Sequence, residues 1–177
     1  MARTLAQLIA SLDRLQERAP LEWLLAELAE LDVDLNELAT HVLYSQRAYR
    51  RNLVKAGPYY NLLVLCWKNG QRSPIHDHRG SSCAVRVLEG TMTETLFSFA
   101  ANGHVKANFS RDVEPGQVVG SEDVDMHQVS NLQADDADLV TLHIYSPPLL
   151  VMGTYSLHDL QRGEEPMYVA FTDAAGI

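Results

Sequence analysis

Between Thr4 and about Gln46 the apolar residues recur at intervals of three and four, as Leu5, Leu8, Ile9, Leu12 and Leu15 and then Leu21, Leu24, Leu25, Leu28 and Leu31. That spacing lines one face of a helix, so the segment predicts two or three helices whose apolar stripes are packing faces. Pro20 is suited to open the second helix, because its missing amide would go unpaired in a first turn anyway. Asp34 is a candidate cap for a third, running through Leu38 and Val42.

Beyond Tyr49 the texture changes. Short β-branched and aromatic runs, such as Tyr60 to Trp67, Cys83 to Leu88, Thr91 to Phe99 and Leu139 to Tyr145, are separated by Gly, Pro, Asn and Asp. These predict antiparallel strands. Turn signals at Gly57-Pro58, Asn69-Gly70, Glu89-Gly90, Asn102-Gly103 and Pro115-Gly116 stand too close together for alternating βαβ units and favour a sandwich or barrel. With no repeat or linker in between, the expectation is a mainly β single domain over residues 1–177. A helical portion over 1–46 packs on a β-barrel over 49–177.

Composition narrows the function. The 177 residues are 46% hydrophobic and 21% charged, the balance of a globular chain long enough to bury roughly 70% of its unfolded surface. A net charge of −9 repels phosphate backbones and anionic lipid, which argues against nucleic acid. The longest apolar run, Leu62 to Trp67, cannot cross a bilayer, and Met1 to Ala6 lacks the layout of a secretion signal. No membrane association and a cytoplasmic location are expected. Two cysteines, Cys66 and Cys83, are too few for a disulfide framework and start as thiols in a reducing compartment.

Of the seven histidines, His76 and His78 form His-Asp-His in a segment that reads as extended, which sends both rings to one face. Alone, such a pair is as readily a solvated loop as a metal site. Its surroundings sharpen it: Gly70 precedes His76 by five intervening residues, Cys83 follows His78 after four, Gly90 follows Cys83 after six, and His127 is followed after three by Asn131. This arrangement resembles the two motifs of the cupin superfamily, which implies a cupin-type jelly-roll β-barrel with His127 as third ligand. Cys83 stands where the usual glutamate ligand would be, and Val124 where the second motif has glycine. Three neutral imidazoles leave a divalent ion its full charge and several open positions, which suits an anionic substrate that binds the metal directly.

Within that superfamily the chain is similar to the thiol dioxygenase family, on its cysteine dioxygenase branch. The resemblance is carried by Tyr49-Arg-Arg51-Asn-Leu-Val54, Asn61-Leu-Leu-Val-Leu-Cys-Trp67, Ile75-His-Asp-His78, Leu88-Glu-Gly90 with Glu94-Thr-Leu-Phe97, and Leu142-His-Ile-Tyr-Ser-Pro-Pro148, in that order. It is looser in the helical portion, and no alignment extends past Gly153. The resemblance implies Fe(II) on His76, His78 and His127, with L-cysteine and O2 as substrates and cysteine sulfinic acid as product. It implies Arg51 as the clamp for the substrate carboxylate, where 3-mercaptopropionate dioxygenases carry glutamine, and Tyr49 as a hydroxyl near that carboxylate. Tyr145 is the implied active-site tyrosine, oriented by His143, with Thr141 in place of the family's serine. Ser146-Pro147 matches a cis peptide bond.

A thioether between Cys83 and Tyr145 is left open by the resemblance, as is a role for Cys83 as an inert core residue. Cys66 reads as inert, and His41, His104 and His158 read as packing or solvated. Family precedent favours a monomer. Two other functions stay in view: a dioxygenase of another small thiol, such as 3-mercaptopropionate or cysteamine, and a non-catalytic metal-binding cupin.

Overall fold

The computed structural model describes residues 2–167; Met1 and residues 168–177, the end of the expected barrel portion, lie outside the described residues. Helix α1 spans Leu5–Leu12 and is closed at its start by a reciprocal pair, Thr4 with Gln7. Helix α2 spans Leu21–Ala29, so Pro20 caps it from just outside instead of forming its first residue. The third helical segment, Leu35–His41, begins at Asp34 as expected, with a capping box to Glu37, but it winds as a 3-10 helix. Leu38 in it is buried and Leu35 packs half-buried on the same cluster, an i, i+3 pair that the three-residue turn of a 3-10 helix stacks on one face.

Eleven strands follow among the described residues: β1 Arg50–Gly57, β2 Tyr60–Trp67, β3 Ile75–His76, β4 Ser82–Glu89, β5 Met92–Phe99, β6 Val105–Val113, β7 Val118–Glu122, β8 Met126–Ser130, β9 Leu139–Ser146, β10 Val151–Tyr155 and β11 Arg162–Pro166. They form two antiparallel sheets, ordered β1-β2-β9-β4-β7 and β11-β10-β3-β8-β5-β6, that enclose the barrel interior. The strand spacing predicts a mainly β sandwich or barrel, and the resemblance implies the jelly roll; both expectations match this architecture. No helix among the described residues is long and apolar enough to cross a membrane.

The first sheet is covered on both sides, and its sequence says why. In β2 the residues Leu62, Val64 and Cys66 belong to one buried cluster with Leu8, Leu12, Leu24, Leu28 and Leu38, while Leu63, Leu65 and Trp67 belong to another inside the barrel. Strand β9 divides the same way, with Val140, Leu142 and Ile144 facing the helices. An unbroken apolar run is what a strand buried on both faces requires. Strand β6, by contrast, is an edge strand whose residues between Val105 and Val113 are all exposed, and its charged, polar texture protects a free edge.

Helix α2 lies against β4 and β7. Gly120 in β7 makes this approach possible, since a Cβ there would stand 2.7 Å from Leu21 Cδ1 and 3.0 Å from Leu25 Cδ2. The linker between α1 and α2 is tied to the barrel by Arg18, which donates to Ser82, Glu122 and Asp123, and by Ser146 Oγ, which accepts from the Ala19 amide at 2.9 Å and donates to the Tyr59 carbonyl at 2.7 Å. The helical portion therefore braces the loop that follows β7. Because Leu24 is fully buried between α2 and the sheet, Leu24→Ala is expected to lower the unfolding free energy by about 2–5 kcal/mol. A urea titration followed by circular dichroism measures the shift.

Candidate metal centre

The expected ligands come from the end of the short strand β3, from the turn just beyond it and from the neighbouring strand β8. His76 on β3 is the register partner of His127 on β8, so two residues far apart in sequence are adjacent in space. The extended reading of His-Asp-His holds only in part: β3 ends at His76. His78 is returned to the cluster by a turn in which its amide and that of Arg79 donate to the Asp123 carbonyl at 2.9 and 3.0 Å. Asp77, between the two rings, points the other way and accepts from the Gly153 amide at 2.8 Å and the Tyr155 hydroxyl at 2.5 Å. A Cβ on Gly153 would lie 2.5 Å from Asp77 Oδ2, so glycine is what lets that carboxylate dock.

One ring nitrogen from each of His76, His78 and His127 lies within 4.8 Å of the others, and all three residues are buried. Their hydrogen bonds assign the protons. His76 Nδ1 faces the Pro74 carbonyl at 3.0 Å and His127 Nδ1 faces Glu94 Oε1 at 2.9 Å; both partners only accept, so both Nδ1 atoms carry hydrogen. The two Nε2 lone pairs then confront each other at 3.2 Å. Such a contact is repulsive unless a proton or a cation lies between. On the His76 side a proton is opposed by burial, which pushes that ring down to about 3, and burial likewise holds His78 well below its ordinary value. Both nitrogens of His78 are buried without a hydrogen-bond partner. A metal ion held by these three rings would satisfy all of them at once.

The opposite wall is built by the first sheet. Thr141, His143 and Tyr145 project inward from β9, and Cys83 on β4 is the register partner of Tyr145. Arg51 pairs with Leu65 of the inner cluster and Arg50 with Cys66 of the outer one, so only Arg51 faces the interior. Its Nη1 donates to the Tyr145 oxygen at 3.3 Å and its guanidinium lies 5.0 Å from that ring's centre. Arg51 has no carboxylate partner among the described residues, and its Nε is buried and unpaired. Tyr49, just before β1, stacks on Trp67 at 4.2 Å with its phenol beside Arg51. The cavity among these groups is only about 10 Å³, roughly the room of one water.

A chain of hydrogen bonds orients Tyr145. Trp67 Nε1 donates to Thr141 Oγ1 at 3.0 Å, and Thr141 Oγ1 is 2.8 Å from His143 Nε2 but 3.5 Å from the Leu65 carbonyl. The shorter contact takes the hydroxyl hydrogen. His143 is then protonated on Nδ1, which donates to the Tyr145 oxygen at 3.3 Å. With His143 and Arg51 both donating to that oxygen, the phenolic hydrogen is free to turn toward the imidazoles. Burial, opposed by the Arg51 charge, pushes the Tyr145 phenol up, so it remains a donor at neutral pH. Thr141 fills the serine position without breaking the relay.

All eight expected site residues thus meet around one cavity and its imidazole cluster. His41, His104 and His158 lie outside the three-histidine group. Cys66 faces the helices, where Asn52 Nδ2 donates to its sulfur at 3.6 Å. Two participants were not singled out in the sequence: Trp67, which anchors the relay, and Glu94, fully buried on β5. Glu94 shares the inward register of Met92, and a carboxylate at an inward strand position was the available signal.

A family model described as cysteine dioxygenase type I matches residues 1–158, which includes the helical portion where the sequence resemblance was loose and runs past Gly153. The human cysteine dioxygenase type 1 is 36% identical over 153 residues, covering 82% of this chain and 76% of that protein, and the rat protein of the same name is 35% identical over the same shares. Among solved structures, a protein with a double-stranded β-helix domain from Klebsiella pneumoniae aligns with a TM-score of 0.53 at 14% identity, over 66% of this chain and 84% of that one. A protein from Thermus thermophilus aligns with a TM-score of 0.53 at 18% identity, over 66% and 96%. Those two likenesses bear on the fold.

Burial, eased by the contact with Tyr145, pushes the Cys83 thiol up to about 12, and burial pushes Cys66 up to about 11. Both sulfurs are therefore thiols, not thiolates, at ordinary pH and are expected to resist alkylation in the folded chain. In denaturant, two reactive thiols are expected from protein never exposed to substrate. Iodoacetamide labelling followed by mass spectrometry measures both.

Proposed function

The chain belongs to the cysteine dioxygenase type I family, and from that membership we propose that it is an Fe(II) thiol dioxygenase converting L-cysteine and O2 to cysteine sulfinic acid. The reaction RSH + O2 → RSO2H balances without an external reductant, since both oxygen atoms end on sulfur. Iron is the family's metal; imidazole ligands alone suit several first-row metals. When held by His76, His78 and His127, the ion keeps the substrate thiol ionised at neutral pH and brings it beside dioxygen.

The observation that carries the substrate assignment is Arg51. A guanidinium turned into a buried cavity with no carboxylate partner among the described residues is an expensive arrangement, and a substrate that brings its own carboxylate offsets that cost with two parallel hydrogen bonds. In this reading Arg51 leaves the Tyr145 oxygen for the substrate, and Tyr49 adds its hydroxyl beside the guanidinium. Tyr145, aimed by the Trp67–Thr141–His143 relay, keeps its proton and donates it as a hydrogen bond toward the reacting atoms. The tight stack of Tyr49 on Trp67 helps to exclude water.

Two further elements belong to the same proposal. Cys83 and Tyr145 are cross-strand partners inside the cavity, which supports formation of a thioether during turnover. A carbon–sulfur bond would form as the S–H and one ring C–H bond break, their two protons and two electrons passing to dioxygen to give hydrogen peroxide, so the thiol count in denaturant falls from two to one. The chain is proposed to act as a single domain over residues 1–177, as a monomer, in the cytoplasm.

Replacing Arg51 with Gln is expected to lower kcat/KM for L-cysteine by about 30-fold or more, the loss that follows when one partner of a buried charge pair is removed. Oxidation of cysteamine, which lacks the carboxylate, should change little in the same variant. Oxygen-electrode rates with the two thiols measure the difference, and equal losses for both would contradict the clamp. His76→Ala is expected to abolish metal retention and oxygen uptake together, and persistent cysteine-dependent uptake would overturn the assigned centre.

A further inference from the structure

One carboxylate bears on the imidazole cluster from outside it. Glu94 on β5 is fully buried; its Oε1 accepts from His127 Nδ1 at 2.9 Å, and its Oε2 accepts from Arg111 Nε and Nη2 at 2.8 and 2.6 Å. Arg111 is the register partner of Glu94 on the edge strand β6, and its side chain is 40% exposed. The three residues thus form a line from solvent, through a buried anion, to a ring of the cluster.

We infer that Glu94 is a positioning residue for the metal centre: it fixes the His127 ring so that Nε2 faces His76, and it supplies, one imidazole away, the negative charge that a three-histidine shell lacks. The inference deepens the metal-centre reading and rests on it. Three observations carry it. Cys83 occupies the sequence position where a cupin would usually offer a glutamate, and among the described residues the group able to share an ion consists of histidines alone. Glu94 is nearer to His127 Nδ1 than the alternative partner, Ser121 Oγ, which stands at 3.4 Å, and a carboxylate fixes the donor tautomer more firmly than a hydroxyl that can rotate. A carboxylate bound only to Arg111 would gain nothing from burial, whereas one that also holds His127 makes that ring a stronger electron donor at Nε2. Arg111 then serves to hold the anion in place from the solvent side.

The test is a Co(II) titration of chelator-stripped protein, read by visible absorption, for the parent, Glu94→Gln, Glu94→Asp and Arg111→Gln, with metal-free melting curves alongside. Glu94→Gln keeps the shape and one acceptor oxygen, enough to receive His127 Nδ1, but removes the charge and turns an amide NH2 toward Arg111; it should raise the Co(II) Kd by about 10- to 100-fold, with the metal-free melting curve showing that the variant is folded. Glu94→Asp should recover part of the affinity. The His127 Nδ1 proton resonance should move upfield in Glu94→Gln, a change that a general loss of packing would not produce. A folded Glu94→Gln with the parent's Co(II) affinity overturns the inference. If that variant does not fold, Arg111→Gln decides: a surface change that loosens the carboxylate should weaken Co(II) several-fold, and unchanged affinity overturns it equally. A parent chain that takes up no Co(II) removes the metal-centre reading itself, whereas a parent that binds alongside an unaffected variant removes only the role of Glu94.

Discussion

The register of β3 against β8 sets the Nε2 atoms of His76 and His127 face to face at 3.2 Å, a contact that two lone pairs cannot make without a proton or a cation between them. Each ring is committed on its other side, one to a backbone carbonyl and one to a carboxylate, so neither can turn away without breaking a buried hydrogen bond. The barrel therefore holds a standing electrostatic demand for a cation. His78, with both nitrogens buried and unpaired, adds to it. Much of the surrounding structure maintains this conflict: Asp77 docked against Gly153, the Asp123 carbonyl that turns the chain at His78, and the Arg18 brace that fixes the same loop.

The second constraint is the distribution of charge. Among the described residues Arg51 is a buried cation with no anionic partner, and Glu94 is a buried anion that already has two partners. One is left for a ligand to complete and the other is closed to ligands. That difference separates a binding group from a positioning group more surely than burial does, because a satisfied charge gains little from a newcomer while an unsatisfied one gains a great deal. The neutral relay from Trp67 to Tyr145 has a third kind of role, fixing where one phenolic hydrogen can point.

Legibility in the sequence followed exposure to two environments. Strands buried on both faces, such as β2 and β9, appear as unbroken apolar runs and were placed nearly to the residue. The His-Asp-His pair, Arg51, Tyr145 and Cys83 could be named because they sit at motif spacings. Strand β6 carries no such signature, since its side chains between the two ends meet water on both faces. The third helical segment was placed by its cap, but the packing of Leu35 and Leu38 on the core, which accompanies its 3-10 winding, is a tertiary contact. Glu94 falls within a segment of the resemblance but was given no role, because a lone glutamate among Thr and Leu looks like any half-exposed strand residue until its neighbours across the sheet are known.

The order of apolar and polar residues by itself determined that helices precede a β-barrel, and which side chains were of the right kind to bind a metal and an acid. Those are consequences of local periodicity and residue chemistry. Only the tertiary structure decided that His127 faces His76, that Arg51 and not Arg50 reaches the interior, and that Glu94 and Trp67 stand behind the ligands and the tyrosine. Each of these depends on strand register across contacts long in sequence, where a shift of one residue would turn every side chain to the opposite face.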